Sequence, residues 1–208
     1  MSECSRPVIR PVPPLSAEER AQSLAQFRQA MPEAGPIWVF AYASLIWDPC
    51  FAFDAMETAV LDGYRRAFNF WTVLSRGTPE RPGLGLGLAP GGTCQGILFR
   101  LADTSLETDL DTLWEREMHS AVYEPRWVRV ETPCGPRHAI GFVTSTSHGQ
   151  YAGELDMETV AGVIAGASGK YGPCRDYLAE TVAALAVHGI EDPILSSLLT
   201  LVDDHSQC

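Results

Sequence analysis

The feature that most constrains the fold is a continuous apolar run at residues 37–47, IWVFAYASLIW, which Asp48 and Pro49 end. Such a run between turn residues is typical of a central strand that is buried on both faces. A strand of this kind needs a sizeable core, and the 46% of apolar residues in the 208-residue chain can supply one. We therefore predict a buried central strand over residues 37–47.

Short strands are predicted after this run, with turn residues such as PGGT between them. They cover residues 56–73, 83–90, 94–102, 123–133 and 137–147. In the second of these strands glycine alternates with leucine, so one face carries no side chains and another group can approach the backbone closely. A dinucleotide-binding glycine motif is not indicated, because this run leads into a turn and another strand instead of a helix.

Helices are predicted before the strands, once among them, and after them. Ser16 and Glu19 form a capping box that opens the first helix, and Asp156 caps another. The predicted helices cover residues 17–31, 104–119, 157–168, 174–189 and 193–204. This order indicates an α+β fold, with a small, strongly bent mixed sheet or barrel flanked by helices. We expect residues 1–15 to be disordered or extended and residues 16–208 to form one domain.

The charge of the chain limits its partners. The formal net charge is −11, whereas nucleic acids and anionic membranes attract clustered Lys and Arg, so we expect neither as a partner. The N-terminus lacks the apolar segment of a secretory signal, and no apolar run is long enough to span a bilayer. A cytoplasmic location is therefore expected.

The cysteines and histidines show no metal-binding pattern. The six cysteines are Cys4, Cys50, Cys94, Cys134, Cys174 and Cys208. They are scattered without a CxxC motif, so reduced thiols are a simpler account than zinc binding or a disulfide framework. The five histidines form no HxH or HExxH motif, and we expect no metal.

Residues 105–118, SLETDLDTLWEREM, are typical of an amphipathic helix with two glutamates on different faces. The apolar stripe of this helix consists of Leu106, Leu110, Leu113 and Trp114. At about 100° per residue, Glu117 falls within the stripe and Glu115 on the solvent side. A carboxylate that faces the core has a raised pKa, which suits general acid–base catalysis. Two other interpretations stay open: a frayed helix end, or a structural ion pair with an arginine such as Arg100 or Arg126.

Small and polar residues interrupt the apolar run at Tyr42, Ala43 and Ser44. A central strand that breaks at such residues often exposes backbone N–H groups, which can bind an anion or an oxyanion. Alternatively, Tyr42 and Ser44 are core residues whose polar groups are satisfied by hydrogen bonds.

Together these segments resemble the ChaC-like γ-glutamylcyclotransferases. WVFAYASLIW at residues 38–47 resembles the VFGYGSLIW signature of that family. LWEREM at residues 113–118 and YEPRW at residues 123–127 resemble the LWxREMxxGxYxPxW segment of its bacterial branch. Further matches lie at Arg81-Pro82-Gly83, Gly91-Gly92, Gly96, Ala167-Ser168-Gly169 and Asp176-Tyr177-Leu178. The resemblance keeps the same order from about residue 37 to about residue 200.

The resemblance implies a γ-glutamylcyclotransferase-like fold and an intramolecular reaction, in which the α-amine of a γ-glutamyl group attacks its own γ-carbonyl carbon. It implies glutathione as the small-molecule substrate, 5-oxoproline and Cys-Gly as products, and no cofactor. The family's catalytic glutamate maps onto Glu117, which is therefore implied as proton acceptor and donor. The implied substrate-binding residues are Ala41, Tyr42, Ala43, Ser44, Leu45, Ile46, Tyr123 and Tyr177.

The chain departs from the family pattern at several positions. Ala43 and Ala121 stand where the family has glycine, and Cys174 stands where many relatives carry asparagine. If position 43 needs a positive φ, alanine there costs about 1 kcal/mol. We expect instead an ordinary backbone conformation, in which the methyl group only narrows the pocket.

Three alternative functions stay open. The first is the same chemistry on another γ-glutamyl peptide or amine. The second is a non-catalytic, γ-glutamyl-binding regulatory protein. The third, a cysteine hydrolase, is the weakest, because no local cysteine–histidine signature supports it.

Overall fold

The computed structural model describes residues 9–205. The helices are α1 (Ala17–Gln29), α2 (Leu106–Glu117), α3 (Met157–Gly166), α4 (Cys174–Val187) and α5 (Pro193–His205). The strands are β1 (Trp38–Ala41), β2 (Phe53–Thr72), β3 (Gly83–Leu101), β4 (Tyr123–Val130), β5 (Arg137–Thr144), β6 (Ser168–Gly169) and β7 (Gly172–Pro173). Of the N-terminal segment predicted to be disordered or extended, residues 1–8 lie outside the described residues. Residues 9–15 form no helix or strand, and Ile9 and Leu15 pack against the core.

A five-stranded sheet with the order β2-β3-β1-β5-β4 forms the centre of the fold. β1 pairs antiparallel with β3 and parallel with β5, so the sheet is mixed, and all four residues of β1 are buried. An isolated bridge joins Val60 of β2 to Glu131, the residue after β4. The outer strands therefore approach each other, and the described residues form a strongly bent sheet rather than a closed barrel.

The central strand is shorter than the apolar run predicts. β1 ends at Ala41, whereas we expect a strand over residues 37–47. β1 ends where the carbonyl of Gln95, which would pair with the N–H of Ala43 if the ladder with β3 continued, accepts a hydrogen bond from the side chain of Arg66. Arg66 also donates to the carbonyl of Tyr42. An apolar pattern reports burial on both sides of this point and does not show where backbone pairing ends.

The third strand is longer than predicted, because the two strands expected on either side of PGGT form one strand, β3. Gly91 and Gly92 have φ angles of +87° and +78°, and Gly63 on β2 has a φ of +82°. The pairing of β2 with β3 shifts its register at this point. Glycines in both strands thus form a bulge that bends the pair without ending it.

Helices cover the sheet, and their ends follow local signals. α1 packs on α2, while α3, α4 and α5 pack on one another and α3 and α4 also contact β3. The predicted caps are confirmed at Ser16 and Glu19, whose side chains accept from each other's backbone N–H, and at Asp156, as is the end of α4 before Gly189. One domain over residues 16–208 stays a prediction. None of the helices in the described part of the chain combines the length and apolarity needed to cross a bilayer.

Candidate active site

The two glutamates near the end of α2 point to opposite sides of the helix. Leu110, Leu113 and Trp114 form its buried face. Glu115 is exposed, whereas only 12% of the Glu117 side chain is exposed. The orientation predicted from helical periodicity is therefore confirmed for both residues.

Burial controls the charge of Glu117. Removal from water raises the pKa of its carboxyl from the ordinary value of 4.5 to about 7, and the neighbouring guanidinium of Arg116 lowers the pKa in part. Arg116 Nε lies 3.3 Å from Glu117 Oε1, while Arg116 Nη1 donates to the backbone carbonyl of Asp48 at 2.6 Å. The ion pair considered with Arg100 or Arg126 is wrong, because these arginines pair with other carboxylates.

Glu117 lies in the wall of a cavity of about 260 Å³, counted with its open mouth. The cavity is lined by Phe40, Tyr42, Ala43, Ser44, Leu45, Glu117, Tyr123 and Phe142. The fold thus brings the end of α2 together with the residues that follow β1 and with the first residue of β4. Three other predicted binding residues, Ala41, Ile46 and Tyr177, lie outside this lining.

The turn after β1 lines the cavity and carries backbone N–H groups without partners in the described chain. Within residues 9–205, the N–H groups of Ala43, Ser44 and Leu45 make no hydrogen bond. The N–H of Ile46 differs, since it donates to the carbonyl of Ala43 at 2.9 Å within a 3₁₀ turn, Ser44–Ile46. Buried N–H groups normally have a partner, so three successive unpaired donors beside a cavity can bind an anion or an oxyanion.

Three tyrosines lie close to the carboxyl group of Glu117. Tyr42 donates its hydroxyl to the carbonyl of Phe142 at 2.8 Å, and Tyr123 donates to the carbonyl of Leu86 at 2.9 Å. Burial raises the pKa of both phenols and that of Tyr177, and the negative charge of the nearby glutamate adds to each increase. The phenols therefore stay neutral at physiological pH, and none competes with the glutamate as a base.

The match to known families decides the classification. Residues 37–205 match the family model described as ChaC-like protein. The chain belongs to this family. It is 37% identical over 188 residues to a glutathione-specific γ-glutamylcyclotransferase of Escherichia coli (strain K12). This alignment covers 90% of the present chain and 81% of the Escherichia coli protein. It is 32% identical over 177 residues to γ-glutamylcyclotransferase 2-3 of Arabidopsis thaliana, in an alignment that covers 80% of the present chain and 88% of the Arabidopsis protein.

A solved structure shares the fold of this ChaC-like chain. The crystal structure of a γ-glutamyl cyclotransferase specific to glutathione from yeast aligns with a TM-score of 0.74 at 22% sequence identity. The alignment covers 83% of this chain and 97% of the yeast chain. The predicted α+β class and γ-glutamylcyclotransferase-like fold are therefore confirmed.

Ala43 and Ala121 of this ChaC-like chain both stand where the family resemblance places glycine, and their conformations differ. Ala43 has a φ of −143°, so this position does not need the positive φ that would favour glycine. Ala121, between α2 and β4, has a φ of +55°, in the left-handed region where the Cβ atom is strained. Cys174, where many relatives carry asparagine, is buried and its Sγ donates to the carbonyl of Leu84 at 3.3 Å.

The alternating glycines of β3 shape one wall from behind. A Cβ atom on Gly85 would lie 2.1 Å from the ring of Phe70, so the glycine leaves room for this ring, which packs edge-on against Tyr123 at 5.3 Å. The predicted close approach to the bare face of this strand is confirmed. The sequence patterns do not single out the lining residues Phe40 and Phe142, because apolar residues within strands look like ordinary core.

Proposed function

We propose that this chain is an enzyme that cyclises the γ-glutamyl group of glutathione and releases 5-oxoproline and Cys-Gly. The observation that carries the proposal is the buried carboxyl of Glu117 in one cavity with the unpaired N–H groups of residues 43–45. Membership of the ChaC-like family and the glutathione-specific relative from Escherichia coli support it. The reaction requires a proton acceptor beside a group that holds the glutamyl moiety, and this cavity contains both.

Glu117 moves the protons in this proposal. The α-amine of the substrate is an ammonium at neutral pH and cannot attack until a base removes one proton. The ionised carboxylate of Glu117 takes that proton, and the α-nitrogen forms a bond to the γ-carbonyl carbon, which closes a five-membered ring. The bond from this carbon to the cysteine nitrogen then breaks, while the carboxyl of Glu117 returns its proton to the leaving amine. The second proton of the attacking nitrogen is lost to solvent, so the ring nitrogen of 5-oxoproline keeps one hydrogen.

The pKa of Glu117 suits both proton transfers. At about 7, the carboxyl is close to half ionised at neutral pH, so it can accept a proton and later release it. A fully solvated carboxylate is a much weaker base, and the exposed Glu115 has that environment. The two residues therefore form a matched pair for testing the assignment.

The turn at residues 43–45 holds the glutamyl group in this proposal. Its N–H groups bind the α-carboxylate or polarise the γ-carbonyl oxygen, where negative charge develops as the ring closes. Holding the amine against the carbonyl supplies a large part of the rate, because ring closure is limited by orientation. In this proposal Tyr42 and Tyr123, which line the cavity, contact the substrate directly. Tyr177 does not line the cavity, so its proposed role is indirect.

The cysteine hydrolase alternative has little support in the described chain. Burial raises the pKa of the Cys94 and Cys174 thiols to about 11, so both stay protonated and poorly nucleophilic at neutral pH. Both thiols contact backbone carbonyls, and no cysteine within residues 9–205 hydrogen-bonds to a histidine. Cys4 and Cys208 lie outside the described residues.

The test is the reaction of the purified protein with glutathione, with 5-oxoproline and Cys-Gly measured directly. We expect product from the wild type and, within about twofold, from Glu115→Gln. Glu117→Gln should lose about 10²–10⁴-fold in rate, the usual contribution of a general acid–base group. A dead Glu115→Gln variant with an active Glu117→Gln variant would reverse the assignment of the base.

The same assay separates the alternative functions. Product from other γ-glutamyl peptides or amines, with none from glutathione, would keep the chemistry and change the substrate. Binding of glutathione without turnover of any γ-glutamyl compound would favour the non-catalytic regulatory protein.

A further inference from the structure

Arg66 is a buried arginine that joins three segments next to the candidate active site. Its side chain is 4% exposed. Nε donates to the carbonyl of Tyr42, Nη1 to Oδ2 of Asp192, and Nη2 to the carbonyl of Gln95, each at 2.5 Å. These partners lie in the turn after β1, in the connection before α5, and on β3. One guanidinium group therefore links the turn to two fixed elements.

The contact with the Tyr42 carbonyl also determines the direction of the Ala43 N–H, because both belong to one peptide group. A trans peptide group is planar, and its C=O and N–H bonds point in opposite directions. When Arg66 holds the carbonyl of Tyr42, the N–H of Ala43 must point away from Arg66. That N–H is the first of the unpaired donors at the cavity.

Asp192 in turn limits the movement of Arg66. Its Oδ2 pairs with the guanidinium, while its Oδ1 accepts from the N–H of Leu195 at 3.0 Å, in the first turn of α5. The neighbouring Arg65 provides a contrast on the same strand. It is 40% exposed and pairs with Glu154 on the surface.

We propose that Arg66 is a positioning residue that orients the Tyr42–Ala43 peptide so that the N–H of Ala43 faces the cavity. The link from this orientation to catalysis rests on the proposed function. Lysine can keep the positive charge and the pair with Asp192, but a single ammonium group does not reproduce the planar fork that serves three acceptors. In Arg66→Lys the peptide is therefore released.

The kinetic test compares Arg66→Lys with its neighbour Arg65→Lys as the matched control. At a temperature at which circular dichroism shows both variants folded, we expect kcat/KM for glutathione to fall at least tenfold in Arg66→Lys and to stay within twofold in Arg65→Lys. If the fall in kcat/KM comes mainly from a higher KM, the N–H of Ala43 binds the substrate carboxylate. If it comes mainly from a lower kcat, that N–H binds the γ-carbonyl oxygen. Unchanged kinetics in Arg66→Lys would overturn the proposal.

A second variant separates positioning from simple destabilisation. Asp192→Asn removes a charge partner but leaves the bonds from Arg66 to the Tyr42 and Gln95 carbonyls, so we expect a lower Tm with kcat/KM within threefold of the wild type. If Asp192→Asn loses as much activity per folded molecule as Arg66→Lys does, the effect is structural and the positioning role is overturned.

A readout that does not depend on activity keeps this proposal distinct from the proposed function. In isotopically labelled protein, the amide resonance of Ala43 should move in Arg66→Lys and stay in place in Arg65→Lys. An inactive wild type with this pattern would reject the proposed function and keep the positioning role. An Ala43 resonance that does not move in Arg66→Lys would reject the positioning role whatever the activity.

Discussion

The two walls of the cavity act through different kinds of chemical group. The α2 wall supplies the carboxyl of Glu117, whose charge depends on burial, while the turn after β1 supplies backbone N–H groups, which do not titrate. Backbone strain is also unequal, since Ala121 beyond α2 has a φ of +55° and Ala43 in the turn has a φ of −143°. One wall should therefore respond to pH and to side-chain substitution, and the other only to a change of backbone conformation.

The largest expected effect concerns the α2 wall and is a change in the free energy of unfolding of the protein. Burial raises the pKa of Glu117 to about 7 from 4.5, so the folded state binds its proton more tightly than the unfolded state does. The cost of burying the ionised form is absent below the unfolded pKa, grows as the pH rises towards 7, and then stays at about 3 kcal/mol. Glu117→Gln cannot ionise. Its free energy of unfolding, measured with urea between about pH 4 and about pH 8, should therefore gain up to about 3 kcal/mol relative to the wild type.

The matched control for this measurement is Glu115→Gln. Because Glu115 is exposed, its substitution should change the free energy of unfolding by less than about 0.5 kcal/mol at every pH. If the difference between the wild type and Glu117→Gln were constant over the same pH range, the carboxyl would not be desolvated in the folded protein. The contrast between the two walls would then disappear.

A smaller effect is expected on the reaction itself. A base with a pKa of about 7 is half ionised at pH 7 and about 1% ionised at pH 5, so kcat/KM for glutathione should fall about fifty-fold between these values. Since the N–H groups of the turn do not titrate, the acid limb should follow a single ionisation. The measurement is kcat/KM from about pH 5 to about pH 8. An acid limb with its midpoint near 4.5 would show that Glu117 is solvated in the free enzyme.

The two walls also differ in how far the sequence predicts them. The orientation of Glu117 and the cap at Ser16 follow from residues within one or two helical turns, so local patterns are sufficient. The end of β1 involves Arg66, which lies 24 positions after Tyr42 and donates to the carbonyl of Gln95, the group that would continue the ladder. The continuity of β3 depends in the same way on Gly63 of its partner strand. Such non-local contacts leave no signal in the segment that they shape.

The same reason explains which predicted binding residues fall outside the cavity lining. A resemblance to a family assigns a whole block, whereas backbone pairing decides which of its residues are available. Ala41 remains in the ladder opposite Ile97, and the N–H of Ile46 is used by the carbonyl of Ala43. Ala43, Ser44 and Leu45 between them have N–H groups without acceptors in the described part of the chain, and these residues line the cavity.

The smallest expected effects concern the two alanines, and their signs should be opposite. In Ala121→Gly, relief of the positive φ outweighs the extra freedom of glycine in the unfolded chain, so the free energy of unfolding should rise by about 0.5–1 kcal/mol. In Ala43→Gly there is no positive φ to relieve and a buried methyl group is lost, so the free energy of unfolding should fall by about 1 kcal/mol. Urea unfolding of both variants at one pH measures the two changes.

A double substitution sharpens this last comparison. Ala43 and Ala121 lie in different loops and share no hydrogen bond within the described residues, so their effects should add within about 0.5 kcal/mol, and Ala43→Gly/Ala121→Gly should have nearly the stability of the wild type. Stabilisation by both single substitutions would mean that the turn after β1 is strained as well, despite the negative φ of Ala43. Destabilisation by both would mean that contacts of the Ala121 methyl group outweigh its backbone strain. In either case backbone strain would no longer distinguish the segment after α2 from the turn after β1.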